Sequence, residues 1–104
     1  MIRTYLEFDV LPGKATGLAD FFDRRDILRT SVAQPGCQSA ELTISADGLT
    51  ALVTATWDDR DAYDRWTSRS DREDDADELS SFLRQPVGPA TIGRVLDVVL
   101  DGAS

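Results

Sequence analysis

The sequence predicts an α+β domain, built as βαββαβ around a four-stranded antiparallel sheet. Three observations carry that expectation. Residues 1–10 alternate apolar and polar side chains, the two-residue period of a half-buried strand. Residues 39–57 form two alternating runs about Asp47-Gly48, which reads as a β-hairpin. Two further stretches, from Leu18 to Val32 and from Ala62 to Trp66, place apolar side chains at helical spacing.

Ile2, Thr4, Leu6, Phe8 and Val10 make one face of the first strand, and Arg3, Tyr5, Glu7 and Asp9 the other. Pro12-Gly13 ends it. The spacing then predicts one helix from about Lys14 to Ala33, closed by Pro35-Gly36. Leu18, Phe21, Phe22, Leu28 and Val32 share its stripe, with Arg25 at the centre and Arg29 at the edge. Two readings follow for these guanidiniums. Their stems cover apolar surface while the heads reach solvent, Asp23 or Asp26, or Arg25 is a cation in a pocket.

Asp47-Gly48 signals a two-residue type I′ turn. Pairing outward sets Ile44 opposite Ala51, Leu42 opposite Val53 and Ala40 opposite Ala55, on the face beneath the helices. The other face carries Glu41, Thr43, Ser45, Thr50, Leu52, Thr54 and Thr56, which suits a half-wet surface or the interior of a shared barrel. The next helix starts at Asp58 or Asp59, either of which can cap free backbone amides. Asp61 sits near its positive end. Ala62, Tyr63 and Trp66 are its apolar stripe.

Ser70 to Ala76 reads as loop or frayed helix. Leu79, Phe82 and Leu83 suggest a last helical turn, stopped by Pro86, and Gly88-Pro89 turns the chain. In the last strand Leu96, Val98 and Leu100 alternate with Val95, Asp97 and Val99, which predicts burial on both sides. Asp97 is the exception on the second face, and can pair with an arginine or sit in a cavity. This order is a ferredoxin-like split βαβ arrangement with both helices on one face of the sheet. The other face bears Tyr5, Leu52, Val95 and Val99. A homodimer that closes two such sheets into a barrel is the simplest cover for it.

Composition narrows the function. At 104 residues, 41% hydrophobic and 29% charged, the chain reads as a single soluble domain over residues 1–104. A net charge of −8 argues against nucleic acid and anionic membrane as partners. Residues 1–10 lack the continuous apolar run of a signal peptide, and no stretch approaches the ~20 apolar residues of a membrane span. The lone Cys37 excludes an internal disulfide and fits a reducing, cytoplasmic compartment. The ten acidic and four basic side chains of residues 58–78 read as a solvated face, since no calcium-loop pattern is present. The chain has no histidine, which removes Ser-His-Asp and Cys-His catalysis and the commonest zinc and haem ligand. No glycine-rich phosphate loop occurs. Chemistry without a metal or cofactor is the expectation.

Pro35-Gly36-Cys37, the Asp47-Gly48 hairpin and the run from Trp57 through Ala62 and Tyr63 to Trp66 resemble the antibiotic biosynthesis monooxygenase family of dimeric α/β barrels. The resemblance implies cofactor-independent, quinone-forming oxygenation of aromatic polyketides, haem degradation, or polyketide cyclisation. Trp57 matches the strand-end Trp implicated in the quinone-forming members, whose Asn four residues earlier is Val53 here. Trp66 matches the Trp that ruffles haem in the haem-degrading members, whose ligating His is replaced by Ala76. The haem reading fails at that position.

The two Trp residues also have a plain reading as core or rim packing. The sharper reading is an aromatic cleft of Phe22, Tyr63, Trp66 and Phe82 for a planar substrate. Arg25 and Arg72 are candidates to stabilise an oxyanion, and Asp97 or Glu7 to act as base. The expected function is cofactor-independent monooxygenation of a polyketide-type aromatic. A cyclase or isomerase on similar substrates, or a non-catalytic ligand-binding dimer, are the alternatives.

Overall fold

A computed structural model of the chain describes residues 1–68, 76–85, 93–100 and 102. The elements follow in the order β1 (Ile2–Asp9), α1 (Ala15–Arg24), α2 (Ile27–Val32), β2 (Cys37–Ile44), β3 (Thr50–Trp57), α3 (Arg60–Thr67), α4 (Ala76–Ser80) and β4 (Arg94–Asp97). The four strands form one antiparallel sheet in the order β2-β3-β1-β4, the ferredoxin-like arrangement.

The hairpin register is the one the alternation predicts: Ile44 opposite Ala51, Leu42 opposite Val53, Ala40 opposite Ala55. Its turn differs. Gly48 alone takes positive φ, at 75°, and its N–H donates to Ser45 O at 2.9 Å. Ser45 to Gly48 therefore forms a β-turn whose last residue is a left-handed glycine, within a hairpin loop closed by Ser45 N donating to Thr50 O. Asp47 accepts from Ser45 Oγ at 2.6 Å and from Leu49 N at 3.0 Å, and these bonds hold its carboxyl below the usual carboxylate range. Side-chain bonding does here what a mirror-image turn would otherwise do.

The predicted single helix is broken. Asp26 takes φ 52°, left-handed, and separates α1 from α2. The break turns Arg25 out of the apolar stripe and leaves Val32 43% exposed. Leu18, Phe21 and Phe22 remain inward. Pro35-Gly36 forms the turn that feeds β2, with Cys37 N donating to Gln34 O and Gly36 at φ 87°. A Cβ at Gly36 would stand 2.7 Å from the Ala62 methyl, so the glycine lets the turn sit against α3. Asp59 caps α3 by accepting from Ala62 N at 2.9 Å.

The expected last helical turn continues α4: Ser81 N donates to Glu78 O, Phe82 N to Leu79 O and Leu83 N to Ser80 O, each at 3.1 Å. The chain then pairs with the end of β1: Leu83 bridges to Val10, Leu11 N donates to Phe82 O, and Arg84 N donates to Asp9 O. Phe82 packs over Gly17 of α1. The predicted loop at 70–75, the Pro86 stop and the Gly88-Pro89 turn lie outside the described residues.

Two apolar clusters fill the layer between sheet and helices. One gathers Phe8, Val10, Leu18, Phe21, Phe22, Ala51 and Leu83. The other gathers Ile2, Ala55, Trp57, Ala62 and Tyr63, with Cys37, Ala40, Trp66 and Val95 against it. Val95 lies opposite Thr4 and so on the helix side, a correction to its predicted place on the open face. β4 is a short edge strand with one neighbour, β1, and is not buried on both sides. Leu96 is 45% exposed on the open face, and Val99 and Leu100 beyond it are 90% and 89% exposed. Among the described residues no helix is long and apolar enough to cross a membrane.

Candidate functional site

Trp57 closes β3 directly opposite Ile2 of β1 and Cys37 of β2. Its side chain shares their helix-side face and is 1% exposed. A buried indole N–H needs an acceptor. Thr4, also buried, supplies it: Trp57 Nε1 donates to Thr4 Oγ1 at 3.2 Å. Thr4 is the one polar residue on the inward stripe of β1, and that oddity was the signal for its role.

α3 brings Tyr63 edge-on to this indole, with ring centroids 5.7 Å apart at 60°. The Tyr63 hydroxyl accepts from Gly93 N at 2.8 Å and so ties α3 to the chain just before β4. A Cβ at Gly93 would stand 2.8 Å from Tyr5 O and 3.0 Å from the Tyr63 hydroxyl. Glycine is needed there for close approach. Trp66, one turn further along α3, is partly exposed at the rim of the same cluster.

The register adds a carboxylate. Asp97 of β4 lies opposite Ile2, so Trp57, Ile2 and Asp97 stand in one row across the helix-side face. Asp97 is exposed at the edge of that row, two strand spacings from Trp57. On the other flank Cys37 is half-buried, 3.7 Å from Ser31 Oγ. Burial pushes its thiol up, and hydrogen bonds to Ser31 and Ser39 O only partly offset that.

The structure thus gathers Trp57, Tyr63, Trp66 and Asp97 at one end of the sheet. The other predicted residues lie elsewhere. Phe22 is buried in the first cluster, and Phe82 packs on that cluster's rim, where its ring is 5.7 Å from Phe21. The predicted four-aromatic cleft is therefore divided between two clusters. Arg25 follows the end of α1 at its C-cap, 43% exposed, and binds Glu78 at 3.1 Å beside Arg24 at 2.6 Å. Both guanidiniums hold the Glu78 carboxyl below the usual range, Arg24 foremost. Arg25 is a surface cation that ties α1 to α4, because the Asp26 break carries it off the inward stripe. Glu7 is exposed on the open face opposite Leu52, away from the aromatics. Arg72 lies outside the described residues. Among the described residues no three Cys, Asp or Glu side chains cluster so as to hold a metal ion.

Known proteins share this architecture. The mycobacterial protein Rv0793, from Mycobacterium tuberculosis, is 24% identical and superposes with a TM-score of 0.74, covering 99% of this chain and 98% of that one. SnoaB from Streptomyces nogalater, a cofactor-independent oxygenase solved as a point mutant, is 18% identical with a TM-score of 0.76, covering 99% and 97%. At these identities the likeness shows the fold. No curated protein matches the chain. The family model for antibiotic biosynthesis monooxygenases matches residues 1–74, the stretch that holds the Pro-Gly-Cys turn, the hairpin and both Trp residues. On that match the chain belongs to the antibiotic biosynthesis monooxygenase family.

Proposed function

We propose that the protein is a cofactor-independent monooxygenase of a planar, polyketide-type aromatic, working as a homodimer closed over the open sheet face. The observation that carries this reading is the row from Trp57 through Ile2 to Asp97, with Trp66 at its rim. It sets an exposed carboxylate at the edge of the sheet end whose apolar cluster the partly exposed Trp66 borders. Family membership and the resemblance in fold to a cofactor-independent oxygenase support it.

The chemistry asks little of the protein. A flat phenolic substrate such as an anthrone stacks on Trp66. Asp97 takes a proton from its activated CH2, leaving a resonance-stabilised carbanion. The carbanion supplies the electrons that reduce O2, and a C–O bond forms to give a hydroperoxide. Loss of water leaves the quinone carbonyl, so one CH2 and one O2 become C=O and H2O. The buried Thr4–Trp57 bond and the Tyr63–Gly93 bond keep the aromatic end rigid. Glu7, Arg25, Phe22 and Phe82 have no direct part in it.

An oxygen electrode with a model anthrone tests the reading. Enzyme-dependent, saturable oxygen uptake is expected. Asp97→Asn should lower kcat by about tenfold to a hundredfold, at or below the low end of a general base's usual contribution, because an acidic substrate partly ionises unaided. Product without oxygen uptake would make the protein a cyclase or isomerase, and binding without turnover an accessory protein.

A further inference from the structure

The side-chain charges around the aromatic end of the sheet are of one sign. Asp97 stands in the row with Ile2 and Trp57, and Asp58 and Asp59 follow Trp57 directly at the end of β3, all three exposed. No side-chain cation among the described residues is set against them on that face. Arg3 and Arg94 belong to the opposite face of the sheet, where the Arg94 guanidinium carbon lies 5.5 Å from the Tyr5 ring centroid. Arg24 and Arg25 are held by Glu78, and Arg29 by Asp23 and Asp26. Arg60 pairs with Asp64 at 3.2 Å. Arg65 is exposed on the side of α3 that carries Asp61, Asp64 and Ser68, turned from the inward stripe of Ala62, Tyr63 and Trp66. Lys14 and Arg84 sit at the Asp9 end of β1, the far end from Ile2. Residues 69–75, outside the described residues, bring two arginines against four acidic side chains, and residues 86–92 carry no charge.

This distribution bears on what the site accepts. A neutral aromatic that gives its CH2 proton to Asp97 leaves the local charge unchanged, since Asp97 loses a charge as the carbanion gains one. A substrate with a carboxylate of its own would enter as a second anion beside Asp97, with no guanidinium to pair it. A planar three-ring molecule whose CH2 reaches Asp97 keeps every substituent within about one Debye length of that carboxylate, about 10 Å at 0.1 M salt. Screening therefore weakens the repulsion without removing it. A polyketide chain freed by hydrolysis ends in such a carboxylate. We infer that the site takes an aromatic without a carboxylate, with Asp97 as the residue that sets this preference. The reaction then follows a step that removes the chain's carboxylate as CO2, a proton taking its place, or condenses it with an alcohol to an ester and water.

This rests on the proposed monooxygenase reading and narrows its substrate. Anthraquinone-2-carboxylate and its uncharged carboxamide, flat and inert to O2, stand in for the two kinds of substrate. Equilibrium dialysis against the full chain gives their Kd values, with circular dichroism to check the folding of each variant. At about 50 mM salt the carboxamide should bind about threefold to fivefold tighter than the carboxylate, the range for exposed charges. In Asp97→Asn the two should come within about 1.5-fold, and in wild type the preference should shrink as salt is raised to about 500 mM. A carboxylate bound as tightly as the carboxamide would overturn the inference. A preference undiminished in Asp97→Asn would overturn the role of Asp97. Binding of neither quinone would overturn the inference together with the aromatic-substrate reading. A preference for the carboxamide in a protein that consumes no O2 with a model anthrone would sink the monooxygenase reading and leave the charge preference standing.

Discussion

The bond between Trp57 and Thr4 gives the sharpest stability prediction. Thr4→Val keeps the side chain's shape and removes the acceptor of the buried indole N–H. The donor is then stranded in a site 1% exposed, at a cost of about 1–3 kcal/mol. Trp57→Phe deletes both the N–H and a fused ring from a closed cluster, which should cost roughly 2–4 kcal/mol, somewhat less than truncation to alanine. In the double variant neither partner of the bond remains. Its loss should therefore fall short of the sum of the two singles by roughly 1–2 kcal/mol. Urea unfolding of all four proteins measures the cycle. Additivity within about 0.5 kcal/mol would refute the bond as a coupled pair. A Thr4→Val protein of unchanged stability but altered KM would place the Trp57 indole against substrate instead of in the core.

Other consequences are more local. Gly36→Ala should destabilise by roughly 1–3 kcal/mol, because alanine is strained at φ 87° and its methyl meets Ala62, and an unchanged urea midpoint would contradict the turn. Gly17→Ala should gain little, since helix propensity worth about 1 kcal/mol is offset by a Cβ 2.9 Å from the Phe82 ring. The same change made in a Phe82→Ala background should recover that gain, and equal effects in both backgrounds would refute the contact. Glu78 has a lowered folded pKa, so its contribution is present above the ordinary glutamate range and lost as pH falls through it. Glu78→Gln should accordingly flatten the acid side of the stability profile slightly, and an identical profile would show the Arg24 and Arg25 pairs to be inert. Cys37, with its thiol pushed up by burial, should alkylate at about pH 8 more slowly than in urea-unfolded protein, and equal rates would contradict its burial.

How much of this was legible in the sequence varied by element. The hairpin register was, because cross-strand partners are symmetric about Asp47-Gly48 whatever the turn between them. The turn type was not, because Asp47 is held by its side-chain bonds and only Gly48 leaves the right-handed region. The cap at Asp59 was legible from local chemistry alone. The break at Asp26 was not, since neither glycine nor proline marks it and the apolar spacing continues through it. That hidden break is why Arg25 looked like a pocket cation. For the site, Trp57, Tyr63 and Trp66 could be grouped from their spacing about one strand–helix junction. Asp97 could be singled out as the odd polar residue in an apolar strand. Its row with Ile2 and Trp57 needed the β1–β4 pairing, which no local pattern encodes.

The central claim is that this chain uses molecular oxygen on an aromatic carbon without a cofactor. Turnover of a model anthrone under 18O2, by protein freed of metal with chelator and dialysed, tests it most directly. The account predicts one labelled oxygen in the quinone per O2 consumed, the second atom appearing as water. Product formed at the same rate under argon, or quinone carrying oxygen from the solvent before exchange, would contradict it.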